Sequence, residues 1–345
     1  MTTRQPTPRD AGFAMPAEWT DHVGCLMAWP SRRELWLDHM DAAKDDYATV
    51  ARAVAGFEPV TMVCNPEDVS DVRDRCGAGV EPLAVAIDDS WLRDNGPTFV
   101  RNAAGDVAVV NFQFNAWGNR WQPHHHDNDV PAAIAVHLGM RRFDAPLVME
   151  GGSFFVDGEG TLVTTEQCLL DPNRNPTLSR ADIEQSLRDY LGVTSVIWLA
   201  FGHSADVGPA GTDGHVDGVM QYVAPGHVLL EAPSDRDDAE YVRSRQNLAI
   251  LQAARDAAGR TLRITVVDPG PSSDLSYSNF YLANGAVVVP VLGDSRDEGP
   301  LATIAEAYPD REVVGVPGQT LALGGGGPHC ITQQIPNGRA AAPVE

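Results

Sequence analysis

Four loops of this chain carry residue types that can do nucleophilic chemistry. Residues 321–334 read LALGGGGPHCITQQ, where four glycines, a proline and a histidine lead into Cys330 and an apolar–polar alternation follows. Each glycine costs about 0.5–1 kcal/mol of order relative to alanine. The run is therefore either a flexible turn before a terminal strand, with Cys330 a small buried hydrophobe, or a backbone cradle that brings a ligand against a nucleophilic sulfur. Residues 211–223, GTDGHVDGVMQYV, hold His215 and Asp217 two positions apart. If Val216 opens a strand, both side chains fall on one face, and an imidazole beside a carboxylate is a site signal. A lone histidine would more often be structural.

The third loop, IDDSWLRDNGPTFV (87–100), places Asp88, Asp89, Arg93 and Asp94 within seven residues before an Asn-Gly-Pro turn. Asp94 is either a local backbone cap or a carboxylate fork for a planar cation beside Trp91. Arg93 is either a clamp for a substrate carboxylate or a neutraliser of Asp88 or Asp89. The nearby FNAWGNRW adds Trp117, as packing or as a second wall. In the fourth loop, MEGGSFFVDG (149–158), Glu150 ends an apolar run and two glycines strip away bulk beyond it. A charge at the end of a buried strand needs a partner. Carboxylates only accept, and they pair bidentately with guanidinium groups. A thiol, an imidazole and such forks together suit attack on a guanidinium carbon.

Elements must bring these loops together. Strand-like runs alternate with amphipathic helices in the order strand, strand, helix, strand, with a period of about 60–75 residues that marks a repeated supersecondary unit. Two strands before each helix do not fit a plain βαβ ladder. No Ser/Pro linker divides the 345 residues, so the pattern predicts one α/β domain built radially over residues 15–336. A disordered leader is expected over 1–14 and a flexible tail over 337–345. The closing strand is expected to carry Cys330.

Composition narrows the chemistry. The net charge of −22 opposes nucleic acid and anionic membranes as partners and suits a small cation. No stretch approaches 18 apolar residues and no signal-peptide core opens the chain, so a cytoplasmic protein is expected. The five cysteines include no CxxC pair, which indicates neither a zinc ribbon nor a disulfide framework. Lys44 is the only lysine, and it falls off the apolar face of its own helix. Schiff-base, pyridoxal phosphate and Walker A chemistry are thereby excluded.

The segments WLRDNGPTF, FNAWG, MEGGSFFVDGEGTLVTTEQCLL, TDGHVDG, NFYLANGAVVVPVLGD and GGGGPHCITQQ, in that order, resemble the agmatine deiminase family of the guanidine-modifying (pentein) superfamily. The resemblance spans residues 15–336. It implies a five-bladed α/β propeller of ββαβ units with pseudo-fivefold symmetry and a central site. It implies hydrolysis of agmatine to N-carbamoylputrescine and ammonia, a step of polyamine biosynthesis, through a covalent thiouronium on cysteine. Carried over residue by residue, Cys330 resembles the nucleophile and His215 the general acid/base. Asp94 and Asp217 resemble the guanidinium-binding carboxylates, and Glu150 the acid that orients the histidine. Trp91 and Trp117 resemble walls for the substrate chain. No metal or organic cofactor is implied, and Cys25, Cys64, Cys76 and Cys168 match no catalytic position.

Two departures bear on the substrate's far end. Gly211 stands where the family pattern has an acid four residues before the histidine, and Glu34 and Leu35 stand where Asp and Asn are common. A deiminase acting on another guanidine therefore remains an alternative. A metal-dependent ureohydrolase using His124, His125, His126 and Asp127 is a second, and a non-catalytic binding propeller a third. Homo-oligomer formation is left open.

Overall fold

The computed structural model describes residues 6–208, 211–270 and 275–343. Five small sheets repeat one plan. A strand pairs antiparallel with the next, and a helix then returns the chain to lay a third strand parallel to the second. Thr98–Asn102, Asp106–Gln113 and Arg142–Val148 do this around helix His125–His137. Phe154–Val156, Thr161–Thr165 and Ser195–Leu199 do so around Arg180–Leu191. Met220–Ala224, His227–Glu231 and Arg263–Val267 follow around Ala239–Ala253. Tyr281–Ala283, Ala286–Val291 and Glu312–Pro317 follow around Glu298–Ala307. The remaining unit joins the two ends of the chain. Thr332–Pro336 pairs antiparallel with His22–Ala28, and Val60–Cys64 lies parallel to the latter after helix Met40–Ala55. This is the expected ββαβ propeller.

Local chemistry explains the units. The hairpin between Ala283 and Ala286 turns through Asn284-Gly285, with Gly285 at φ 84°, a left-handed conformation that glycine adopts without steric cost. Helix Arg180–Leu191 opens on a Ser179/Asp182 capping box and closes on left-handed Gly192. It buries Ile183, Leu187 and Leu191 at a spacing of four, which seats one stripe on its sheet.

Several expectations are corrected. Within the expected leader, Arg9–Ala11 forms a 3-10 turn and Phe13–Ala14 pairs antiparallel with Thr98–Asn102, because Phe13 buries its ring in the core beside Phe143. Residues 1–5 lie outside the described residues. In the expected tail, Arg339–Ala340 pairs parallel with Asp106–Gln113, and residues 344–345 lie outside the described part. The strand after His215 starts at Met220, and the closing strand starts at Thr332. Val216 opens no strand, so His215 and Asp217 share a turn, and Cys330 sits just ahead of its strand. No helix among the described residues is long and apolar enough to cross a membrane.

Candidate active site

The loop entering the first strand of each unit points to one place. Asp94 precedes Thr98, Glu150 precedes Phe154, His215 and Asp217 precede Met220, Asn279 precedes Tyr281, and Cys330 precedes Thr332. Residues far apart in sequence thus occupy equivalent positions around the pseudo-fivefold axis. Cys330 lines a cavity of about 420 Å³ shared with Asp206, Thr212, Asp217 and Asn279. It also lines a narrow slot walled by Leu35, Trp91, Asp94, Trp117 and Trp121.

Distances tie the groups together. Cys330 Sγ lies 3.4 Å from Asp217 Oδ2, and His215 Nδ1 lies 4.0 Å from Asp217 Oδ1 and 3.8 Å from Asp94 Oδ1. Sulfur and imidazole therefore meet at a single carboxylate. His215 Nε2 faces Glu150 Oε2 at 3.7 Å. All three acidic groups and the histidine are at most 5% exposed. Gly152 makes this crowding possible. A Cβ there would come within 2.6 Å of His215 Nδ1, 2.7 Å of Asp217 Oδ2 and 2.9 Å of Asp94 Oδ1. Gly326 is equally necessary, since a Cβ would sit 2.5 Å from the Trp91 ring and 3.0 Å from the sulfur.

Each acid is held by fixed donors. Asp94 accepts from Gly152 N–H and from Trp117 Nε1–H, both at 2.9 Å. Trp117 is therefore a ligand of the carboxylate and more than a wall. To deliver its indole N–H, Ala116, Trp117, Gly118 and Asn119 all take positive φ, a costly run for residues with a side chain. Trp91 is stacked on Trp36, with ring centroids 5.8 Å apart. Glu150 Oε1 accepts from Arg174 Nε at 2.8 Å, while its Oε2 and both ring nitrogens of His215 have no hydrogen-bond partner among the described residues.

The charge balance follows from these contacts. Burial would raise Glu150, but Arg174 and His215 outweigh it and hold the carboxyl down at about 2. Burial also opposes the charge on His215, yet Asp94, Cys168 and Glu150 lift it well above the ordinary histidine value. Asp94 is raised by burial and by neighbouring Asp217 and Glu150. Asp217, despite its burial, is lowered by the His329 hydrogen bond. Burial and the charges of Asp217 and Asp94 push the Cys330 thiol well up.

Arg93 is not in the site. Its guanidinium is buried against Glu18 at 3.0 Å and reaches the His329 carbonyl, so it neither clamps a substrate nor neutralises Asp88 or Asp89. Arg32 serves Asp89 instead, at 2.7 Å. Several residues escaped the sequence reading. His329 Nδ1 meets Asp217 Oδ2 at 2.8 Å and its Nε2 meets Glu18 at 3.2 Å. Asn279 touches the sulfur with its amide at 3.1 Å and the Asp217 carbonyl at 3.3 Å. Its position before a first strand, matching those of Asp94, Asp217 and Cys330, was the available signal. His124 packs edge-on against Phe114, and Asp127 accepts from the backbone of Asp88 and Asp89. The one metal-type ligand group among the described residues is instead Glu150, Cys168 and His215, with ligand atoms within 4.8 Å of one another.

Comparison with known proteins agrees with this geometry. Residues 14–336 match the family described as Porphyromonas-type peptidyl-arginine deiminase. The chain is 41% identical over 372 residues to the agmatine deiminase of Pseudomonas aeruginosa (strain LESB58), covering 99% of this chain and all of that one. It is 41% identical over 370 residues to the agmatine deiminase of Stutzerimonas stutzeri, covering 97% and 99%. Its fold is similar to the solved structure of Enterococcus faecalis agmatine deiminase, with TM-score 0.93, 33% identity and coverage of 97% and 99%.

Proposed function

The chain belongs to the Porphyromonas-type peptidyl-arginine deiminase family, and from that premise we propose that it hydrolyses agmatine to N-carbamoylputrescine and ammonia. The observation that carries this reading is the pair of carboxylates, Asp94 and Asp217, flanking His215 Nδ1 with the Cys330 sulfur against one of them. A flat guanidinium between the two acids presents its carbon to the sulfur. Both oxygens of Asp94 already accept one hydrogen bond, but each keeps a second lone pair for the guanidinium N–H groups.

Thiolate formation is the step that needs a cause, because the empty site disfavours it. A unit cation about 4 Å from the sulfur is worth about 4 kcal/mol at an effective dielectric of about 20, or about three pKa units. The substrate cation thus favours loss of the Cys330 thiol proton to solvent and formation of the reactive thiolate. The thiolate adds to the guanidinium carbon, and His215, held protonated by the surrounding acids, gives its proton to the departing amine. Ammonia leaves and a thiouronium remains on Cys330. His215 then takes a proton from water, hydroxide adds to the same carbon, and the C–S bond breaks to release the ureido product. Glu150, anchored by Arg174, supports the imidazolium behind the ring.

At the far end, the slot offers Leu35, Trp121, Gly324 and Gly325 to the carbon chain. A Cβ at Gly211 would strike the Asp206 backbone, so no acid fits at that position. Asp206 itself lines the cavity that Cys330 lines and can receive a distal ammonium. Among the described residues an arginine carboxylate finds no comparable clamp: Arg93 is buried elsewhere, and Arg120 is committed to Asp213 and the Gly211 carbonyl. We infer one catalytic domain that takes in Phe13–Ala14 at one end and Arg339–Ala340 at the other, acting in the cytoplasm. Ammonia release measured across agmatine, arginine and other guanidino compounds tests the reading. Agmatine should give the highest kcat/KM and C330A none. Turnover retained in C330A, or a preference for arginine, would overturn it.

A further inference from the structure

On the face of the catalytic imidazole away from the substrate carboxylates, three side chains of metal-ligand type converge. Asp94 and Asp217 approach Nδ1 of His215, leaving Nε2 to Glu150. The carboxylate of Glu150 is divided: Oε1 belongs to Arg174, and Oε2 is buried without a hydrogen-bond partner among the described residues. Cys168 lies on the short helix Glu166–Leu169 directly after the strand Thr161–Thr165, its N–H spent on capping by Thr165 Oγ1. Its thiol is fully buried, and it shares with Glu150 and His215 a space in which ligand atoms lie within 4.8 Å of one another.

We propose that Glu150, Cys168 and His215 form an inhibitory site for a zinc-type divalent cation. Thiolate, imidazole and carboxylate are the donor types that Zn²⁺ selects, and three protein ligands with an open fourth position are a common arrangement. Bond lengths of about 2.0–2.3 Å in a tetrahedron place ligand atoms about 3.5 Å apart. His215 Nε2 and Glu150 Oε2 already stand near that separation, at 3.7 Å. Two buried atoms that have no hydrogen-bond partner among the described residues, Glu150 Oε2 and His215 Nε2, are both satisfied by one ion. Binding displaces the thiol proton of Cys168 and any proton on Nε2, both released to solvent. The metal then occupies the nitrogen backed by Glu150, and the ring can no longer cycle between imidazolium and imidazole. Neither Cys330 nor Asp217 takes part. The inhibition rests on the deiminase reading; the metal binding does not.

Cobalt(II) and zinc(II), each titrated into the intact protein without substrate, separate these statements. Wild type and C330S should each bind one cobalt with a thiolate-to-metal charge-transfer band, and C168S should lose the band. In competition with a chromophoric chelator, C168S and C168A should hold zinc at least tenfold more weakly than wild type. Zinc should lower kcat with little change in KM, and C168S should need at least tenfold more zinc for the same inhibition. X-ray absorption of zinc-loaded C330S should show one sulfur ligand, a readout that does not depend on how the Cys168 variants fold. A band that survives in C168S or vanishes in C330S, or a zinc shell without sulfur, would overturn the site. Failure of ammonia release with the cobalt band intact would instead overturn only the activity.

Discussion

The two flanks of the cavity are built on opposite terms. On the sulfur's flank, Asp217 is held by His329, His329 by Glu18, and Glu18 by Arg93, a closed chain of buried contacts between 2.8 and 3.2 Å. On the imidazole's flank, both nitrogens of His215 and one oxygen of Glu150 have no hydrogen bond among the described residues. The first flank fixes a carboxylate in place and keeps it ionised. The second keeps its proton carrier free to exchange, with Arg174 holding only the far oxygen of Glu150. Rigid placement and chemical freedom are thus divided between two sides of one pocket. A fully satisfied histidine would be more stable and less useful.

Substitutions on the two flanks should therefore fail differently. Glu150→Gln should lower kcat about 10²–10³-fold, the scale of general acid–base assistance, because Arg174 keeps Asp213 and the Thr212 carbonyl as partners. Glu18→Gln should lower kcat less than tenfold yet cost about 3 kcal/mol in urea unfolding, since it leaves Arg93 buried without its counter-charge and His329 with Asp217 alone. Equal effects of the two variants on both readouts would erase the contrast. Asp94→Asn and Asp217→Asn each remove one charge-assisted contact to the guanidinium. Each should reduce kcat/KM at least about tenfold, and Asp217→Asn should also lower stability because His329 loses a charged partner.

Acid should release both flanks together. Glu18 and Glu150 are each held at about 2 against a reference of 4.5. A depressed carboxyl contributes stability that is complete above its unfolded value and is lost as pH falls through the folded one. Thermal melts should therefore be insensitive to these two acids above about pH 4.5 and should fall between about pH 4.5 and 2. In Glu18→Gln that decline should be shallower. The smallest expected effect belongs to Trp117→Phe. It deletes one neutral donor to Asp94, worth about 1 kcal/mol, and should weaken kcat/KM about fivefold.

Much of the plan was readable because it is local. Strand-like apolar runs and amphipathic helices each declare an element within a few residues, and their repetition about every 60–75 residues declares the propeller. Cys330, His215, Asp94 and Glu150 were found because glycines border them at the ends of apolar runs. What escaped depended on distance along the chain. Glu18 meets His329 across 311 residues, and nothing near either residue announces the other. Asn279 resembles a turn residue until its loop is aligned with the four others. Cys168 sits on a short helix after a buried strand, and only the packed unit brings its sulfur beneath His215. Arg93 misled for the same reason: its neighbour in sequence, Asp94, faces the cavity, whereas its guanidinium turns back to Glu18.

Mass spectrometry of enzyme quenched in acid during agmatine turnover tests the central claim most directly. The peptide containing Cys330 should carry an added mass equal to agmatine less ammonia, and the adduct should be absent in C330A. Rapid turnover with that peptide unmodified, or the adduct on Cys168 instead, would contradict the account.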